Sequence, residues 1–128
     1  MDAFKQIQGS WKLVSFEIEP KEGPRRDWGR NAHGLLFYST SGQMSVAINK
    51  DVARESENEF EDLFDSILFY AGTYQVEGDL IRHKVTEASS PERIGRELLR
   101  YAKFDGDQVT LTTPHESFGR AILTWRKA

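Results

Sequence analysis

The chain has 128 residues, a net charge of −3, a hydrophobic share of 38% and an aromatic share of 12%. This length predicts one domain over residues 1–128 with a single core. The acidic balance argues against a nucleic-acid binder, which would need a basic field. The sequence contains no cysteine, which excludes disulfides and thiolate chemistry, and no apolar run approaches the ~20 residues of a membrane span.

The N-terminal segment predicts a short helix followed by a first strand. Ala3–Gln8 carries Phe4 and Ile7 at helical spacing, and the first extended run is Ser10–Glu19. Met1–Gln6 lacks the basic head and apolar stretch of a signal peptide. We therefore expect a soluble protein of the cytoplasm.

Trp11 and Arg126, near opposite ends of the chain, predict how a barrel would be sealed. Trp11 stands two residues after Gly9, at the start of the first apolar run, and Arg126 lies on the last extended run. A tryptophan so placed plugs a barrel floor, and a guanidinium over its face adds ~1 kcal/mol of cation–π energy. We interpret Trp11 and Arg126 as structural closure rather than ligand contacts, so replacing Arg126 should lower stability.

Eight extended runs separated by turns predict an antiparallel meander. Glycine-containing turns at Thr40–Gly42, Glu77–Asp79 and Asp105–Asp107 are typical of hairpins. The predicted strands are Ser10–Glu19, Gly34–Ser39, Gln43–Asn49, Ala71–Glu77, Leu80–Glu87, Arg96–Phe104, Gln108–Thr113 and Arg120–Arg126. Eight strands close an up-and-down barrel that admits side chains or one small ligand, and closure removes exposed edges.

One segment interrupts the strands. From Ser56 to about Tyr70, apolar residues fall at helical spacing, and Ser56 with Glu59 forms a capping box. We expect a helix here, between the third and fourth strands, lying over an open barrel end.

The long loop Pro20–Arg30 between the first two strands is rich in charge. It holds Arg25, Arg26 and Arg30 around Trp28. A lid that steers an anionic ligand is one interpretation, and a solvated surface loop is the other.

Four stretches in the same order carry a family resemblance: Gly9–Glu17, Gly34–Ser45, Tyr70–His83 and Asp107–Pro114. With them the chain resembles the small bacterial and fungal lipocalin-like domain family of calycin-type barrels. The resemblance implies an all-β barrel that holds apolar molecules, but no residue-level ligand chemistry. The Thr-Asp-Tyr signature of secreted lipocalins is absent. Some lipocalin-like proteins of natural-product pathways resemble cyclisation catalysts, which keeps an enzymatic interpretation open.

His83 is the most suggestive titratable residue. It shares one strand face with Ile81 and Val85, so it should be buried, and the resemblance commonly places a histidine here. A buried neutral imidazole can bind a ligand or act as a general base. The alternative is a core histidine satisfied by a neighbouring hydroxyl or carboxylate.

Four further residues are candidates for the barrel interior: Tyr38, Tyr74, Arg100 and Tyr101. Arg100 and Tyr101 are adjacent on one strand and must face opposite ways. An inward Arg100 would hold a carboxylate in bidentate fashion.

These observations favour a protein that binds a small, largely apolar or amphipathic molecule, with a polar or anionic end, inside the barrel. The alternatives are an isomerase or cyclase with His83 as acid or base, and a filled barrel acting as an interaction module. His33, His83 and His115 share no metal-ligand spacing, and no glycine loop suits a phosphate. We expect no metal or cofactor, and homodimerisation stays open.

Overall fold

A computed structural model of the chain describes residues 2–51 and 67–128. A short helix, α1, comes first, and a 3-10 turn lies at Pro91–Arg93. The elements in chain order are α1 (Ala3–Ile7), β1 (Gly9–Glu19), β2 (Arg26–Asp27), β3 (His33–Tyr38), β4 (Gln43–Asn49), β5 (Ile67–Glu77), β6 (Leu80–Ala88), β7 (Glu97–Asp105), β8 (Gln108–Thr112) and β9 (Arg120–Lys127). The eight predicted strands correspond to β1 and β3–β9, with ends that differ by a few residues.

The strands form a closed antiparallel barrel. Each strand from β3 to β9 pairs with the next, β1 pairs with β3, and β9 returns to pair with β1. The two-residue strand β2 lies outside this cycle and pairs only with the end of β1, at Glu17 and Ile18. The prediction of an eight-stranded all-β barrel is confirmed.

The helix expected between the third and fourth predicted strands is not found where the chain is described. Ile67–Tyr70 begins β5 and pairs with β4, with Asn49 opposite Ile67. Tyr70 is buried while Ile67 and Phe69 are exposed, so the apolar residues alternate as in a strand. Residues 56–66 of the expected helix lie outside the described residues.

The α-helix that the structure describes is α1, at the N-terminus. The Asp2 carboxylate caps it by accepting a hydrogen bond from the Phe4 amide at 3.0 Å. Its Ile7 is fully buried, and Phe4 stacks on Tyr74 with ring centroids 5.5 Å apart. The helix therefore packs against one end of the barrel. Within the described part of the chain, no helix has the length and apolarity needed to cross a membrane.

Trp11 is buried at the end of the barrel near α1, but Lys127 rather than Arg126 covers it. The Trp11 indole donates a hydrogen bond to the Ile7 carbonyl at 2.8 Å. The Lys127 ammonium lies 4.6 Å from the Trp11 ring centroid and also donates to the Gln8 carbonyl. The expectation for Arg126 is wrong because Trp125 points inward, so its neighbour Arg126 points outward.

Candidate ligand-binding site

The barrel holds a cavity of about 480 Å³ that is open to solvent at one side. Apolar side chains from almost every barrel strand form its walls: Phe16, Ile18, Leu36, Val46, Ile48, Leu68, Leu98, Leu111, Ala121 and Leu123. The volume falls within the ~300–1,000 Å³ of typical small-molecule sites. The interior therefore has room for a ligand of drug-like size.

Positive charge is concentrated on this cavity although the whole chain is acidic. Arg26, Arg93, Arg96 and Arg100 line it, and Glu116 is the acidic lining residue among those described. None of the four arginines forms a salt bridge within the described ranges. Unpaired guanidinium groups beside an apolar wall suit a ligand that carries an anionic group.

His83 holds two tyrosine hydroxyls from opposite sides of its ring. Its Nε2 lies 2.6 Å from the Tyr38 hydroxyl on β3, and its Nδ1 lies 2.7 Å from the Tyr70 hydroxyl on β5. Only 1% of His83 is exposed. Both ring nitrogens are therefore satisfied by protein hydroxyls. His83 and Tyr70 line the cavity, and Tyr38 does not.

The surroundings keep this histidine neutral. Burial, and to a lesser degree the positive charge of Arg100, hold the pKa of His83 well below its ordinary value of 6.5. Burial raises the pKa of Tyr70 and, more strongly, that of Tyr38, while Arg100 partly offsets both shifts. The three groups form an uncharged chain of hydrogen bonds beside a cation.

Arg100 faces this chain from β7. Its guanidinium donates through one nitrogen to the Leu99 carbonyl at 2.8 Å, which fixes its orientation. The remaining N–H groups have no hydrogen-bond partner among the described residues. A guanidinium has donors only, so these groups need an acceptor from the cavity.

Trp125 forms part of the cavity wall and carries a buried donor. The residue is 1% exposed and lines the cavity. Its indole N–H is buried and has no hydrogen-bond partner within residues 2–51 and 67–128. A buried donor without a partner typically costs ~1–3 kcal/mol unless water or a ligand accepts the bond.

The predicted site residues separate into three groups. His83 and Arg100 line the cavity, as the inward interpretation requires. Tyr38 and Tyr74 are buried but do not line the cavity. The Tyr38 hydroxyl is hydrogen-bonded to His83, and the Tyr74 hydroxyl donates to the Ser39 carbonyl at 2.6 Å. Tyr101 is 46% exposed, because it faces away from the side that Arg100 occupies. The prediction of Tyr101 as a lining residue is therefore wrong.

The residues that sequence reasoning missed lie at the edges of predicted elements. Tyr70 lies at the end of the expected helix, and Arg93 precedes the strand predicted to begin at Arg96, so neither is a predicted cavity residue. The structure brings both to the cavity together with Arg96. The signal available in the sequence was that Arg96 and Arg100 stand four residues apart on one face of the predicted strand.

The basic loop between β1 and β3 does reach the cavity. Trp28 stacks on Phe16 at 4.7 Å and 7°, and the Lys50 ammonium lies 4.2 Å from its ring centroid. Arg26 and Trp28 line the cavity, whereas Arg25 turns away to a salt bridge with Glu19 at 2.9 Å. Among the described residues, no cluster of three histidine, aspartate or glutamate side chains could hold a metal ion.

Comparison with known proteins assigns the family. The sequence model described as a lipocalin-like domain matches residues 8–128. The chain therefore belongs to the lipocalin-like domain family. No curated protein matches the sequence.

Solved structures share the fold at low sequence identity. A redesigned β-barrel has a TM-score of 0.54 at 10% identity, with 98% of this chain and 95% of the other covered. A de novo designed fluorescence-activating β-barrel has a TM-score of 0.51 at 11% identity, with coverage of 100% and 99%. A mutant of the fluorescent protein UnaG has a TM-score of 0.48 at 14% identity, with 97% of each chain covered.

Proposed function

We propose that this protein binds a small, largely apolar molecule with an anionic end inside its barrel. The observation that carries the proposal is the 480 Å³ cavity with apolar walls and four lining arginines. Burial of an apolar body supplies affinity at about 25 cal/mol per Å², and the guanidinium groups orient the anionic end. A filled barrel acting only through its surface is disfavoured by the same cavity.

Two matched probes test this proposal without knowledge of the natural ligand. Anilinonaphthalene sulfonate and N-phenylnaphthylamine share their ring system and differ by the sulfonate. Calorimetric titration should give saturable binding of both at one site per chain, with the sulfonate probe bound more tightly. A failure of both probes to bind would refute the proposal.

A blocked cavity provides the control. Ala121 lines the cavity, and Thr124 lies on the opposite face of the same strand, where its hydroxyl contacts that of Thr110 at 3.4 Å. The Ala121→Phe variant should lose binding of both probes, and Thr124→Phe should retain it. Near-ultraviolet circular dichroism confirms that each variant is folded before it is titrated. Equal binding by both variants would place the probes elsewhere.

The hydrogen-bonded chain of Tyr38, His83 and Tyr70 supports a second candidate, an isomerase or cyclase in the same cavity. A hydroxyl that contacts a neutral imidazole can exchange protons with a bound substrate. In this candidate His83 acts through Tyr70, because the imidazole nitrogens are already occupied. Turnover of a bound compound that His83→Gln abolishes, with binding retained, would support it.

A further inference from the structure

The direction of the hydrogen bonds around His83 follows from which hydroxyl has an alternative partner. A neutral imidazole has one N–H donor and one acceptor nitrogen. One tyrosine must therefore donate to the ring, and the other must accept from it. The Tyr38 hydroxyl is buried, and His83 is its hydrogen-bond partner among the described residues.

If Tyr38 accepted from Nε2, its own hydroxyl proton would be buried without a partner, at a cost of ~1–3 kcal/mol. If Tyr38 instead donates to Nε2, the ring proton lies on Nδ1 and is donated to the Tyr70 oxygen. The Tyr70 hydroxyl proton is then free, and Tyr70 lines the cavity. The second arrangement leaves the free proton on the hydroxyl that lines the cavity, where water or a ligand can accept it.

Arg100, like the Tyr70 hydroxyl, offers hydrogen-bond donors that require an acceptor on the ligand. Arg100 lies opposite Ile81 and lines the same cavity as Tyr70. Its positive charge acts on the Tyr70 hydroxyl, and its guanidinium cannot accept a hydrogen bond from Tyr70. The Tyr70 hydroxyl and the free N–H groups of Arg100 thus offer donors only.

We propose that Tyr70 and Arg100 form a subsite for an acceptor-only oxyanion of the ligand, a carboxylate or sulfonate, and that Tyr38 and His83 are positioning residues that turn the Tyr70 hydroxyl toward it. This inference rests on the proposed function and specifies which part of the cavity holds the anionic end. A neutral alcohol at the same position could accept these hydrogen bonds but would lack the negative charge that complements Arg100, so it should bind more weakly.

The orientation of the chain is measured directly by nuclear magnetic resonance. Nitrogen-15 shifts of the His83 ring should show the proton on Nδ1 and none on Nε2. A proton on Nε2 would overturn the assignment, because Tyr70 would then donate to the ring rather than to the ligand.

The oxyanion subsite is tested with the two probes. Tyr70→Phe and Arg100→Met should each weaken binding of anilinonaphthalene sulfonate by about tenfold or more, the effect expected from losing a hydrogen bond to a charged group. Binding of N-phenylnaphthylamine should change by less than about twofold, since the apolar walls that hold it are unaltered. Tyr38→Phe should also reduce the preference for the sulfonate. Without the proton donated by Tyr38, either tautomer of His83 leaves one ring nitrogen unpaired, so the ring no longer favours the tautomer in which the Tyr70 hydroxyl points toward the ligand.

Tyr74→Phe is the matched control. It removes a buried tyrosine hydroxyl from the same strand, four residues from Tyr70, and that hydroxyl is bound to the Ser39 carbonyl outside the cavity. The preference for the sulfonate should be retained in this variant. If both probes bind wild-type protein but Tyr70→Phe and Arg100→Met leave the preference unchanged, the subsite is refuted while the proposed function stands. If neither probe binds wild-type protein, the proposed function itself fails.

Discussion

At the scale of residues, His83 shows how a titratable group is held in one state by its surroundings. The ring is buried, both nitrogens face tyrosine hydroxyls, and the neighbouring charge is the cation of Arg100. Burial and the cation both disfavour the imidazolium, since burial penalises charge and a cation repels it. The positive charge of the cavity therefore comes from arginine and stays constant across physiological pH.

This state predicts a dependence of stability on pH. Because the pKa of His83 is lower in the folded protein than in the unfolded chain, the unfolded chain binds more protons below about pH 6.5. Stability should therefore fall as the pH drops from about 7 to about 5, with a contribution that approaches ~1.4 kcal/mol per pH unit. Urea unfolding at several pH values measures this slope.

The His83→Gln variant serves as the comparison. Glutamine keeps a donor and an acceptor but does not titrate, so the stability gap between the two proteins should narrow as the pH falls. Glu19, whose pKa Arg120 and Arg25 lower from its ordinary 4.5, contributes at more acidic pH and does so in both proteins. Parallel pH profiles of the two proteins would contradict a buried neutral His83.

At the scale of elements, the pairing of β1 with β9 decides which residue covers Trp11. In this register Trp11 lies opposite Lys127 and Lys12 lies opposite Arg126. Residues alternate between the two faces of a strand, so Lys127 shares the side of buried Trp125 while Arg126 faces solvent. The sequence predicts Arg126 over Trp11, and the structure places Lys127, the next residue, there. Both residues put a positive charge on the tryptophan ring.

A pair of substitutions on β9 distinguishes these two cations. Lys127→Ala should reduce the free energy of unfolding by ~0.5–1 kcal/mol, since it removes the cation over the Trp11 ring. Arg126→Ala should change it by no more than ~0.5 kcal/mol, as for other exposed positions. Denaturant unfolding measures both variants. The reverse ranking would restore Arg126 as the closing residue.

At the scale of the whole molecule, the charge of the chain and the charge of its cavity have opposite signs. The net charge is −3, yet four arginines line the cavity with one glutamate. A concave site with low-dielectric walls concentrates the field of its own charges, so the local potential governs the approach of an ion. The cavity should therefore attract anions although the chain as a whole is acidic.

The attraction of anions to the cavity is tested by whether the association rate of an anionic probe falls or rises with ionic strength. Raising the ionic strength from about 10 mM to about 1 M shortens the screening length from about 30 Å to about 3 Å. The association rate of anilinonaphthalene sulfonate, measured by stopped-flow fluorescence, should fall several-fold, and that of neutral N-phenylnaphthylamine should not. If the rate for the sulfonate rises with salt, the net charge of the chain dominates over the arginines.

The sequence by itself determined the strands, their order and the barrel. Alternation and glycine turns are local signals, and they placed β1 and β3–β9 within a few residues of their observed ends. The alternation of side chains along a strand also placed His83 on a buried face and placed Arg100 and Tyr101 on opposite faces of one strand. It left open which of these two faced the cavity, since neither face of that strand is decisively apolar.

Only the tertiary structure decided which residues meet. Tyr38, Tyr70 and His83 come from three strands, and their hydrogen bonds depend on side-chain positions that no local pattern encodes. Helical spacing predicted a helix up to about Tyr70, but Ile67–Tyr70 pairs with β4 instead. This pairing prevails because a strand in a closed sheet forms its backbone hydrogen bonds with its neighbours. Arg93, Arg96 and Arg100 likewise converge on the cavity because the chain turns at Pro91–Arg93 and enters β7, a path fixed by barrel closure.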